Sequence, residues 1–224
     1  MDLSLDDTAN DDEYEQLTAA QVLERLEESW VNERLSPYLL ETQQEVVDCL
    51  LEQCQTVEDN FSQASSFAVG IHQLEIQAVS KNSEPRATQR IKYMVTDYVR
   101  TRLKKIEKHT EYALEEELVK DDQSVPHLSP AEFVYAREFH RNTRDHLTEM
   151  ALKHMPSAFQ NLDKQKSMSV PNLNTFIFFK VKEDVNDVQV DPRETPVDLS
   201  KDEIHISKYL PIAPLLEQTK IKLV

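Results

Sequence analysis

Gly70 is the only glycine in a chain of 224 residues, where average usage would supply about 7%. Glycine lets a backbone approach a phosphate closely, so neither a P-loop nor the dinucleotide fingerprint can be written in this sequence. A nucleophile elbow of the form G-x-S-x-G is missing for the same reason. The nucleotide enzymes and hydrolases built on those loops are thereby excluded.

The formal charge is -16 and 39% of residues are hydrophobic, which describes a soluble protein with no apolar run long enough to span a membrane. Met1 to Asp12 is acidic where a secretory leader would be basic, so the expected compartment is cytosol or nucleus. The charge is unevenly placed. Residues 1–60 hold 17 Asp and Glu against Arg25 and Arg34, a net of -15. Residues 86–108 reverse the sign: Arg86, Arg90, Lys92, Arg100, Arg102, Lys104, Lys105 and Lys108 face only Asp97 and Glu107, a net of +6.

Residues 1–16 combine Asp2, Asp6, Asp7, Asp11, Asp12, Glu13 and Glu15 with few apolar positions, a composition that cannot bury enough surface to order itself. The first helix is announced by Thr18 as N-cap, Gln21 closing a capping box and a Leu17–Val22 staple. Its apolar stripe is Val22, Leu23, Leu26 and Trp30. Ser36-Pro37 restarts the chain. Val46, Val47, Leu50, Leu51, Cys54, Val57 and Phe61 then recur at helical spacing for about five turns. A third segment near Phe67 to Ala78 runs into a loop at Ser80 to Pro85. A fourth helix, from about Ala87, gathers Ile91, Met94, Val95, Tyr98, Val99, Leu103 and Ile106 on one face. The fifth repeats the first one's device, with Ser129 as N-cap, Pro130 at N1, Glu132 at N3 and a Leu128–Phe133 staple. It should run to about His154, where Met155-Pro156 stops it.

Beyond Pro156 the periodicity changes. Residues 157–171 read as a polar linker. Thr175 to Lys182, Val185 to Val190, Val197 to Leu199, Ile204 to Ile206 and Ile221 to Val224 read as short strands. The expected architecture is mainly α. An acidic tail (1–16) precedes a bundle of about five amphipathic helices (17–156), the linker (157–171) and a small β-rich module (172–224). So small a sheet is marginal alone and should dock on something larger, a neighbouring subunit.

Catalytic constellations are not apparent. His72, His109, His127, His140, His146, His154 and His205 include no i, i+4 pair, so no helical zinc site is written here. Cys49 and Cys54 lie about 140° apart on a helix and cannot share a metal or a disulfide there. Glu27-Glu28 and Glu115-Glu116-Glu117 read as solvated helix faces. Two readings of the basic helix stay open: sequence-independent contact with a phosphate backbone, and pairing with acidic helices of this chain or a partner. Trp30 is open in the same way, between core aromatic and interface anchor.

Four stretches taken in order resemble a known family. They are Leu23-Glu24-Arg25-Leu26-Glu27 to Trp30, Arg100 to Lys108, Leu128-Ser129-Pro130 through Ala136-Arg137-Glu138-Phe139, and Ala151-Leu152-Lys153-His154-Met155-Pro156. Ile212-Ala213-Pro214-Leu215 is similar to the family's last segment. Together they are similar to the SLD-five type subunits of the eukaryotic GINS complex, over about Leu17 to Val224. Ala78 to Thr88 departs from the pattern as an insertion.

The resemblance implies a helical A domain and a small β-rich B domain in a nuclear, non-catalytic assembly of four related chains without a cofactor or metal. It implies partnership with the three other GINS subunits and, through them, with the MCM ring and its RecJ-like partner in the replicative helicase. DNA contact would be at most indirect. Met1 to Asp7 is similar to the short acidic-apolar peptide by which some members engage a trimeric replisome hub, which makes Leu3, Leu5, Asp6 and Asp7 the candidates for it.

Helices apolar on more than one face cannot all be satisfied inside one thin bundle, so assembly surfaces must cover the remainder. The candidates are Trp30, Val46, Leu50, Leu51, Val57, Phe61, Tyr98, Arg100, Arg102, Leu103, Ile106, Phe133 and Phe139 in the helices, with Phe176 and Phe178 in the strands. The rival is an independent helical adaptor that binds nucleic acid through residues 86–108.

Overall fold

A computed structural model describes residues 18–68, 86–120, 125–156, 160, 168–189 and 196–224, with the side chains of 61–68 outside that description. Helix α1 spans Ala19–Leu35 and opens with the expected reciprocal cap: Thr18 accepts from the Gln21 amide, and Gln21 Oε1 accepts from the Thr18 amide at 2.7 Å. Such a cap stabilises a helix start by about 1 kcal/mol. Leu17, the other half of the staple, lies outside the described residues, as does the expected third segment beyond Ala68.

Helix α2 (Gln44–Ala68) and helix α3 (Arg86–Lys108) complete a three-helix layer with α1. Glu27 meets Arg90, Trp30 meets Asp97 and Glu33 meets Arg102, so α1 and α3 run parallel. Gln43 meets Tyr98 and Glu58 meets Lys92, so α2 runs antiparallel to α3. Between the three lies a cluster of Val22, Leu26, Val46, Val47, Leu50, Met94, Val95 and Tyr98.

Helix α4 (Thr110–Val119) is not delimited in the sequence reading, which places only Glu115 to Glu117 on a helix face. It is separated from α3 only by His109, whose backbone (φ -127°, ψ 38°) breaks the helix. Helix α5 spans Pro130–Met150 and carries the expected Ser129 cap with Pro130 in its first turn. It stops earlier than expected, and Leu152–His154 is a separate 3-10 turn. A second cluster, Tyr38, Leu39, Ile106, Ala113, Leu128 and Ala136, ties the 36–43 connection to α3, α4 and α5.

All five expected strands form: β1 (Phe176–Val181), β2 (Val185–Val188), β3 (Val197–Leu199), β4 (Ile204–Lys208) and β5 (Ile221–Leu223). β4, β1 and β5 make an antiparallel sheet with β1 in the centre, and β2 pairs with β3. Alternation along β1 sends Ile177, Phe179 and Val181 inward and Phe176 and Phe178 outward. Helix α6 (Tyr209–Glu217) packs Tyr209, Ile212 and Leu216 against the inward face. Pro211 and Pro214 hide this helix from a sequence reading. Pro211 falls in the first turn, where its missing N–H has no intrahelical partner in any case.

Positive φ is adopted without glycine at the irregularity in β2 and at two turns. Asp187 (58°), Asp202 (68°) and Thr219 (58°) all adopt the left-handed region. Thr219 follows the end of α6, where the Lys220 amide donates to Leu215 O at 3.1 Å.

The β-rich module rests on this chain's own helices, a support the sequence reading assigned only to a neighbouring subunit. The Leu223 amide donates to Asn32 Oδ1 at 2.8 Å, and Lys182 Nζ lies 3.0 Å from Glu28 Oε1. Leu40 joins the sheet's core cluster from the helical side.

Candidate functional site

Half of the eight basic side chains of α3 pair with carboxylates of this chain. Arg102 is 1% exposed, and each of its guanidinium nitrogens donates. Its Nε and Nη2 reach the two carboxylate oxygens of Glu132 at 2.8 and 2.9 Å, and its Nη1 reaches Glu33 Oε2 at 3.1 Å and Leu40 O at 2.9 Å. Nη2 also donates to His127 O. The guanidinium lies 5.5 Å from the centre of the Tyr98 ring. Lys105 Nζ donates to Glu33 Oε1 at 2.7 Å and to Tyr38 O at 2.9 Å. Two cations thus face two carboxylates in one buried network, which is the condition under which buried charge is tolerated.

Titration follows from that geometry. Burial pulls Arg102 down, but the hydrogen bonds to Glu132 and the Glu33 charge outweigh it and hold the guanidinium above its ordinary value. Burial dominates at Lys105, whose ammonium is pushed down. Burial would raise the Glu132 carboxyl, but Arg102 holds it below the usual range. His127 Nδ1 has no hydrogen-bond partner among the described residues and lies 3.9 Å from Glu116 Oε2. Burial, reinforced by Lys120 and Arg102, pushes its imidazole down to about 4.

Arg90 reaches Glu27 at 2.8 Å, and Lys92 pairs with Glu58. Trp30 is half-buried, donates its indole N–H to Asp97 Oδ2 at 2.7 Å and packs edge-to-face on Tyr93. It therefore serves intrachain packing. Of the two open readings of the basic helix, pairing with this chain's own acidic helices accounts for Arg90, Lys92, Arg102 and Lys105. Arg100, Lys104 and Lys108 remain as an exposed stripe at four-residue spacing, with no ion-pair partner among the described residues.

The structure divides the sequence-derived interface candidates. Val46, Leu50, Tyr98, Arg102 and Ile106 are buried in this chain's own clusters or charge network, which corrects their assignment to an outer surface. Helical spacing shows which residues are apolar but not which element covers them. Leu103, Phe133 and Phe139 are half-buried, while Leu51, Val57 and Arg100 are exposed. Phe61 falls among the undescribed side chains, and Leu3, Leu5, Asp6 and Asp7 lie outside the described residues. Phe176 and Phe178 stand on the outer face of the sheet.

Among the described residues α5 is a long helix with little cover, a feature absent from the sequence reading. Only Ala136 of its 21 residues is buried. Val134, Tyr135, Leu147 and Met150 are exposed. Tyr135 stacks on Phe139 and donates to Glu107 Oε1 at 2.7 Å, which holds the first half of the helix to the end of α3. An open groove of about 240 Å³ runs beside it, with Phe139, His140, Thr143 and Leu147 on one wall and Glu107 and Thr110 on the other.

Two family models match this chain. Residues 38–151 match the "GINS complex protein helical bundle domain" and residues 171–224 match "DNA replication complex GINS protein SLD5 C-terminus". A Xenopus laevis protein named "DNA replication complex GINS protein SLD5" is 37% identical over 230 residues, covering 100% of this chain and 99% of its own length. The Homo sapiens protein of that name is 36% identical over 215 residues, 93% of this chain and 91% of its own. A similarly named Schizosaccharomyces pombe protein is 24% identical over 209 residues, 87% and 88% of the two chains.

Proposed function

Because the chain belongs to the SLD5 family of DNA replication complex GINS proteins, we propose that it is a non-catalytic structural subunit of a four-chain GINS assembly. In this reading the assembly works in the nucleus with the MCM ring and its RecJ-like partner in the replicative helicase, in initiation and elongation. Residues 17–156 act as the helical domain and 172–224 as the β-rich domain.

One observation carries the reading: α5 is a 21-residue helix with a single buried residue. Isolated helices in water are marginal, and most helical stability comes from packing an amphipathic face. Exposed Val134, Tyr135, Leu147 and Met150 call for a covering surface, and this chain supplies none among the described residues. Partner chains fit that need, with Leu51, Val57, Leu103, Arg100, Phe133 and Phe139 as further contact candidates. Obligate interfaces of this kind bury about 2,000 Å² or more.

The nucleic-acid reading is left with half of the helix's charge: four of its eight basic side chains are committed to carboxylates of this chain. In the assembly reading DNA contact is at most indirect. Co-expression of Leu147→Glu/Met150→Glu chain with three partner GINS chains tests the proposal. Both side chains are exposed, so the chain's own fold should stand while recovery of partners falls at least tenfold. Undiminished recovery would overturn the role given to α5.

A further inference from the structure

Phe176, Phe178, Ile204 and Ile206 stand together on the outer face of the three-stranded sheet, each between 57 and 64% exposed. The register sets Phe178 opposite Ile206 and Lys180 opposite Ile204, so the four form one apolar block across β1 and β4. Val224, whose amide donates to Phe178 O at 3.1 Å, extends it on the other side. Neighbouring large apolar side chains left in water mark an interaction surface.

The edge of the sheet is open as well. Among the described residues β4 has β1 on one side and no strand on the other. Val181 N donates to Glu203 O and Tyr209 N to Thr175 O, which makes the odd-numbered positions of β4 the ones bonded to β1. In an antiparallel ladder the alternate residues then direct their amides and carbonyls outward. Ile204 and Ile206 have no backbone partner on that side among the described residues. An unpaired edge beside an apolar face is a template for an added strand.

The surroundings favour an acidic occupant. Lys180, Lys201, Lys208 and Lys222 border the block, against Asp202 and Glu203. Lys180 bonds Asp202 at 2.8 Å and holds its carboxyl below the usual range, with Lys201 and Lys222 adding to the effect.

We propose that the chain's own N-terminal segment is the occupant: residues 1–17 add a strand along β4 and seat Leu3 and Leu5 on Ile206 and Phe178. The segment carries Asp2, Asp6, Asp7, Asp11, Asp12, Glu13 and Glu15 and no Lys or Arg, so its charge complements the lysine border. Leu3-Ser4-Leu5 alternates apolar and polar, and alternate residues of a strand share a face. Reach permits it. Leu5 to Thr18 spans up to about 43 Å when extended. From the start of α1 to Asn32, where β5 is held, is about 20 Å along the helix, and crossing two strand spacings adds about 10 Å. A tether of this length presents the segment at about millimolar effective concentration, which a second chain must exceed to displace it. Seating on the sheet and engagement of a replisome hub by Leu3 and Leu5 exclude each other.

Hydrogen exchange on the full chain, co-purified with its partner GINS chains, tests the proposal, with a version lacking residues 1–17 beside it. The Ile204 and Ile206 amides should exchange about tenfold faster without the segment. A second measurement needs no deletion. In a Cys49→Ala/Cys54→Ala background, Leu5→Cys should form an intrachain disulfide with Ile206→Cys in higher yield than with Tyr93→Cys, an exposed position on α3. Equal exchange with and without the segment would overturn the proposal, whether the amides are fast in both or protected in both by a neighbouring subunit. Equal cross-linking to the two positions would overturn it too. Loss of the assembly itself is read separately by light scattering.

Discussion

Arg102 and Glu33 meet at 3.1 Å with each side chain 1% exposed, one projecting from α3 and the other from α1. Around this pair Leu40 O, His127 O and Glu132 take the remaining guanidinium donors. One side chain therefore fixes the packing of α1 and α5 on α3 and the paths of the 36–43 and 125–129 connections. Leu40 is also where the helical part enters the sheet's core.

Arg102→Ala should accordingly destabilise the chain by about 3–5 kcal/mol, because it leaves Glu33 and Glu132 as buried carboxylates without their main partner. Arg102→Lys should recover only part, since three donors cannot reach five acceptor positions in a planar fork. Urea unfolding of the assembled protein measures both. A loss under about 1 kcal/mol for Arg102→Ala would contradict the burial of this network.

Thr219→Gly should stabilise the protein by about 1 kcal/mol, because a β-branched residue in the left-handed region is strained and glycine is not. The same urea midpoint reads it. Destabilisation would show that the Thr219 side chain contributes more than its backbone costs.

The fully charged form of His127 is disfavoured in the fold, where its pKa is about 4, against about 6.5 in an unfolded chain. Between those values the unfolded state binds more protons, so stability rises with pH across the window and is lost as pH falls through it. His127→Gln should flatten the dependence between pH 4 and 6.5 relative to wild type. Parallel curves for the two proteins would rule His127 out as a source of acid sensitivity.

Reversing the exposed stripe with Arg100→Glu/Lys104→Glu/Lys108→Glu should lower recovery of partner chains and make it less sensitive to salt. Retention of the assembly on immobilised duplex DNA should not change. An intact assembly that loses its DNA retention would favour the nucleic-acid reading instead.

Much of this molecule was legible in its residues because the signals were local. Thr18 with Gln21 and Ser129 with Glu132 fix two helix starts within three residues each, and alternation marks β1 over six. The His109 break escaped because nothing in Lys108-His109-Thr110 is a helix breaker. Helix α6 escaped because local propensity weighs against two prolines, while burial of Ile212 and Leu216 against the sheet overrides it. The interface candidates were harder. An apolar stripe such as that of Val46 and Leu50 on α2, or that of Ile106 on α3, reads the same whether its cover is another helix of this chain or another chain. The exposure of α5 becomes visible only when the neighbours are in place.

The most direct test of the assembly role is size-exclusion chromatography with light scattering, on the chain alone and co-expressed with three partner GINS chains. The account predicts aggregation or poor yield for the chain alone and a stable particle holding one copy of each of the four chains, roughly four times 26.0 kDa if the partners are of similar mass. A well-behaved monomer of 26.0 kDa that recovers none of the three would contradict it.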